Sequence, residues 1–176
     1  MGELSVTEVL TGALHMAHYA LEGTIEGVDD AVANRLPPGQ ANPIGAAYLH
    51  VLFSEDYLVN VSMRKGQPMF AGEWAGRTGA DRMPPGPAHG DIGEWYRSVQ
   101  TEMAHARVYG KAVFEMSEAY VASLTASELA DLVEGFPIPN LTRAGWVEIF
   151  LVGHANALCG EISAIKGTFG RKGYPF

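Results

Sequence analysis

The sequence predicts an all-α protein: a four-helix bundle whose second and third helices are joined by a long irregular loop. Three observations carry that expectation. Apolar residues recur at helical spacing in four long stretches, each bounded by capping or breaking residues. No stretch alternates apolar and polar residues as a half-buried strand would. A chain of 176 residues that is 47% hydrophobic and 18% charged can bury one sizeable core, so residues 1–176 are read as a single helical-bundle domain.

The first helix is announced by Ser5 with Glu8 three residues on, the form of a capping box, and then by Leu10, Leu14, Ala17, Leu21 and Ile25; it should end near Gly27. After the loop "RLPPGQANP", Asn42 and Pro43 supply an N-cap and a proline at the first helical position of a second helix running to about Lys65, with Gly66 as terminator. Residues 66–90 are rich in Gly and Pro and read as one irregular connection. Met69, Phe70 and Trp74 make it apolar enough to fold back as a lid on one end of the bundle. The third helix should begin between Asp91 and Glu94 and continue to about Ser123, carrying Trp95, Val99, Met103, Val108, Ala112, Phe114, Tyr120 and Val121. A short piece follows with its own capping box, Thr125 and Glu128, and then "FPIPN", which cannot continue a helix. Thr142 caps a fourth helix expected over 143–167.

Composition narrows the functional classes. A net charge of −8 and a pI near 5.2 disfavour binding to nucleic acid, which rests on lysine and arginine neutralising phosphates. A mean hydropathy of +0.02 without a long apolar run gives no membrane span. The opening "MGELSVTEVL" lacks a basic segment before an apolar one, so a secretory signal is not expected and the cytoplasm is the default location. Cys159 is the single cysteine, so a Cys-rich zinc site is excluded and nitrogen and oxygen donors must hold most of any metal.

Chemistry in a helical bundle is built from side chains projecting inward from facing helices. His50, midway along the second helix, and His154, midway along the fourth, stand among apolar neighbours where an unpaired imidazole is costly. Each is either a core histidine with a hydrogen-bond partner or a ligand. His15, His18 and Glu22 share one stripe of the first helix, which reads as a solvated or interface stripe or as part of a different site facing the same cavity. His105 on the third helix is equally ambiguous, and His89 falls in the long loop. Gly153 and Gly160 share a face and suit close helix packing or room for a ligand.

The stretch "NPIGAAYLHVLFSEDYLV" resembles the second helix of the DinB/YfiT-like superfamily, where one metal-binding histidine precedes an acidic pair. "GHANALCGEISAIKGTFG" is similar to that superfamily's last helix, approximately HxxxHxGQ. The order of elements agrees over essentially the whole chain. The resemblance implies a four-helix bundle, a homodimer, and a divalent metal such as zinc or nickel held by three histidines. Carried over by position, His50 and His154 are two of those ligands, and Leu158 stands where the third is expected. Glu161 lies about 10.5 Å along the axis from His154, Cys159 is rotated about 100° from Leu158, and Glu55 and Asp56 lie off the face of His50; none is a ready replacement.

Two functions follow. In the first, the chain is a small-molecule-binding or non-catalytic bundle with a degenerate metal site. In the second, which the resemblance implies, it is a metal-dependent enzyme such as a thiol-dependent S-transferase or isomerase, with Glu161 orienting the ligands from behind; a bound metal would deprotonate a coordinated thiol.

Overall fold

A computed structural model describes residues 4–85, 92–134, 138 and 140–176. The expected capping box opens α1, Val6–Ile25: the Ser5 hydroxyl accepts from the Glu8 N–H while the Glu8 carboxylate accepts from Ser5. Its inner face buries Leu14, Ala17, Leu21 and Ile25, as the periodicity predicts, and His18 with them. Each fully buried leucine or isoleucine contributes about 1.5–3 kcal/mol. No basic residue occupies the last turn of α1. Lys166 donates instead to the Thr24 carbonyl at 2.5 Å, and Arg171 to that of Gly27 at 3.2 Å, so cations from the other end of the sequence sit at its negative pole.

The short α2, Asp30–Ala33, leads into α3, Ile44–Tyr57. Pro43 is the N-cap itself and Asn42 caps nothing, one residue later than expected. Beyond Tyr57 the helix widens into a π-helical segment, Leu58–Met63, in which the Arg64 N–H reaches the Val59 carbonyl at 3.0 Å. The left-handed residue that ends it is Lys65, at φ 58°, and not Gly66.

The long connection folds back as expected. Met69, Phe70 and Trp74 pack against the core, Phe70 edge-on to Phe53 at 5.5 Å and Trp74 against Tyr109 at 5.5 Å. Asp56 holds it there. This fully buried carboxylate accepts from the backbone N–H of Met69 (2.9 Å) and Phe70 (3.0 Å), the Asn60 amide (2.8 Å) and the Tyr109 hydroxyl (2.7 Å).

The expected third helix is two helices, α4, Ile92–Ser98, and α5, Met103–Ser123. Polar groups from elsewhere capture the backbone between them. The Asn34 side chain brackets Thr101 on both sides (2.7 and 2.9 Å), Asp81 takes the Gln100 N–H (2.8 Å) and Asp30 the Met103 N–H (2.8 Å). A second capping box, Thr125 with Glu128, starts α6, Ala126–Ala130, as its sequence foretells. An unforeseen two-residue antiparallel ladder joins β1, Leu132–Val133, to β2, Leu141–Thr142. Most of the "FPIPN" stretch lies outside the described residues.

Thr142 caps the fourth helical run as expected, accepting from Gly145 at 3.2 Å. That run is α7, Arg143–Trp146, a π-helical turn over Val147–Gly153, and α8, His154–Thr168. Four long helices pack in a ring in which α1 and α3 each touch both α5 and α8 and therefore lie across from one another. The apolar interior forms two clusters, a larger one along α3 and a smaller one around Trp146, bridged by Met116 and Val152. Among the described residues no helix is long and apolar enough to cross a membrane.

Candidate functional site

His50 and His154 meet at the α3–α8 contact. Their rings lie edge to face with centroids 4.8 Å apart and an interplanar angle of 82°. His154 opens α8 immediately after the π-helical turn, and its N–H reaches back five residues to the Ile149 carbonyl. The sequence places Phe150 one α-turn before His154, but the wider turn changes the phase. Phe150 packs on Trp146 in the smaller cluster while His154 faces α3.

Tyr96 of α4 closes the other side, its ring 5.2 Å from that of His50. The Ser54 hydroxyl lies 3.5 Å from His50 Nδ1, at the limit of a hydrogen bond. Burial, helped by the neighbouring His154, holds His50 down at about 4. Burial also lowers His154, against the opposing pull of the Glu55 carboxylate. Both rings are therefore neutral at pH 7, each with one N–H and one lone pair. Burial raises the Tyr96 phenol, and the Glu161 charge adds to this, so the phenol stays a hydrogen-bond donor near the pair.

The chemistry available is that of two neutral bases and a phenol beside an apolar core: accepting or donating hydrogen bonds, or taking up one proton. The donor set does not fit the three-histidine metal site that the resemblance implies. Leu158, partly buried against the larger cluster, has no lone pair to give. Cys159 is buried and turned to Thr24 of α1, with Oγ1 and Sγ 3.3 Å apart. Glu55 is committed to His18 and Ser117, and Asp56 to the long loop. Among the described residues no three His, Cys, Asp or Glu side chains are grouped to hold an ion.

The remaining histidines lie apart from this pair. His105 is exposed and bonds Glu102 of its own helix end at 2.9 Å. His89 lies outside the described residues. His15 is exposed, but His18 is buried, which corrects the reading of His15, His18 and Glu22 as a solvated or interface stripe. All three do border one cleft, between α1 and α5. Glu22 accepts from the buried Tyr48 hydroxyl and lies 3.6 Å from Arg107. Tyr96, Glu118 and Ser117 escaped the sequence reading. The signal that could have pointed to Glu118 is the place of His18 between Leu14 and Leu21 on the apolar stripe of α1, because a buried imidazole needs a hydrogen-bond partner.

The family model of the DinB superfamily matches residues 13–157. The crystal structure of a conserved protein from Enterococcus faecalis is similar over 96% of this chain and 100% of that chain, with a TM-score of 0.81 at 17% sequence identity. That likeness concerns the fold. No curated protein matches.

Proposed function

The chain belongs to the DinB superfamily, and on that premise we propose that it is a small-molecule-binding bundle with a degenerate metal site. The observation that carries this reading is the neutral His50–His154 pair with Leu158 in the third-ligand place. Two imidazoles supply half of the four donors that a structural zinc takes. Without a metal they remain a hydrogen-bonding pair in apolar surroundings, suited to a small ligand that presents an acceptor and a donor together. The net charge of −8 keeps nucleic acid out of this reading.

One observation favours a second reading, a metal-dependent enzyme such as a thiol-dependent S-transferase or isomerase. The two histidines assigned by resemblance do converge from different helices. Elemental analysis of untagged protein, with zinc, nickel and manganese titrations followed by melting temperature, separates the two. Stoichiometric metal that disappears in His50→Ala would establish the second reading and sink the first. Absence of metal and of metal-dependent stabilisation, with ligands of the pair that stabilise wild type but not His50→Ala, is the expected result.

The homodimer is also a proposal. Val6, Val9, Met16 and Tyr19 are exposed on α1 and support it. Light scattering after size exclusion measures the mass directly.

A further inference from the structure

A second buried cluster, of ions, crosses the centre of the bundle beside the imidazole pair. His18 of α1 is 3% exposed. Its Nδ1 lies 2.7 Å from Glu118 Oε1 of α5, and its Nε2 lies 3.0 Å from Glu55 Oε1 of α3. Ser117 Oγ donates to Glu55, and Phe114 stacks on the imidazole at 4.0 Å and 18°. A neutral imidazole has one N–H, and an ionised carboxylate only accepts. With both carboxylates ionised, both bonds therefore exist together only when His18 carries two protons. Because α1 and α3 lie across from one another, the His18–Glu55 bond is a tie through the middle, and Glu118 extends it to α5.

We propose that His18 is a proton-operated latch: doubly protonated, it ties α1 to α3 and α5, and on losing a proton it releases one carboxylate and loosens the cleft between α1 and α5. That cleft encloses about 430 Å³ and has His18, Glu118 and Phe114 among its walls. Other charged groups act on the latch from each packed helix. On α1 these are His15, with Nδ1 3.1 Å from Glu118 Oε2, and Glu22, already bonded to Tyr48. On α5 Arg107 faces Glu22 at 3.6 Å, and Lys111 pairs with Glu115 at 3.7 Å, which leaves Glu118 to the histidines. From α8, His154 faces the same Glu55 charge.

Burial opposes the charge on His18, but Glu55 and then Glu118 outweigh it, and the ring titrates above its ordinary 6.5. For a histidine raised in the folded state, the stabilisation is complete below the unfolded value and is lost as pH rises through the folded one. The latch is therefore closed in mild acid and opens on the alkaline side.

The test uses the full chain as wild type, Glu118→Gln and His105→Gln. It combines imidazole ¹⁵N–¹H NMR with melting temperatures from about pH 5.5 to 9.5, a window spanning both sides of the transition. Wild type should show two ring N–H protons on His18 in mild acid, a midpoint above 6.5, and a melting temperature that falls through that midpoint. Amide exchange in α1 should quicken over the same interval, beyond the intrinsic effect of pH. In Glu118→Gln the midpoint and the fall should both move to lower pH, whereas His105→Gln, at an exposed histidine paired with Glu102 away from the cluster, should leave both in place. A singly protonated His18 in mild acid overturns the latch. So does a Glu118→Gln protein with the wild-type midpoint and melting curve. Wild-type NMR and exchange decide the question even if that variant does not fold.

Discussion

Replacing Asp56 measures how firmly the long connection is fastened to the bundle. In Asp56→Ala four donors lose their acceptor at once: the N–H groups of Met69 and Phe70, the Asn60 amide and the Tyr109 hydroxyl. At about 1 kcal/mol for each orphaned donor, the low end of the usual range, the loss is about 4 kcal/mol. For a domain of this size that corresponds to a fall in melting temperature of about 8–16 °C. Asp56→Asn keeps an oxygen where Asn60 and Met69 donate and turns its amide toward Phe70 and Tyr109. Its loss should be about half, roughly 2 kcal/mol. Thermal melts of the three proteins give the ordering, and amide exchange at Met69 and Phe70 shows whether the loop is what comes loose. An alanine variant melting within about 2 °C of wild type would refute the reasoning, as would equal losses in the two variants.

Leu158→His places a third imidazole one turn after His154. It should confer zinc-dependent stabilisation of about 2.7 kcal/mol at a hundredfold excess over Kd, read as a melting shift reversed by chelator and absent from Leu158→His/His50→Ala; no response to zinc would contradict the assigned geometry. Gly110→Ala should lower the melting temperature. Its new methyl falls on the Tyr48 hydroxyl and within 3.2–3.3 Å of the Leu52 methyls, and the crowding of about 1–3 kcal/mol outweighs the gain of up to about 1 kcal/mol in helix propensity. Below pH 6.5 the neutral His50 costs stability as the pH falls toward about 4, because the unfolded ring protonates first. His50→Leu should therefore flatten the acid side of the melting profile, and an unchanged acid side would show that the ring is not held neutral.

What the sequence revealed follows from the range of each interaction. The capping boxes at Ser5 and Thr125 span three residues, so local chemistry declares them, and the apolar stripe of α1 repeats with the helix. His50 and His154 were legible for the same reason: each sits on the inward face of a long helix. The break between α4 and α5 was not, because the atoms that cause it belong to Asn34, Asp81 and Asp30, far away along the chain. His18 was misread because its partners are 37 and 100 residues off, although its place between Leu14 and Leu21 puts it on the apolar stripe of α1. Both π-helical segments escaped because each only shifts the phase of the apolar pattern by one residue, and in stretches as apolar as these that shift is hard to see.

The turn over Val147–Gly153 makes the fourth helical run unusually sensitive to length. Removing one residue from it would let the segment revert to α-helical pairing while both flanks stayed helical. One flank would then turn by about 100° relative to the other. Trp146 is fixed in its own cluster, so His154 would be carried away from His50 with no side chain at the site having changed. Deletion of Glu148 or Ile149, which are exposed, is therefore able to dismantle the imidazole pair from a distance, where a substitution at the same position would pass unnoticed.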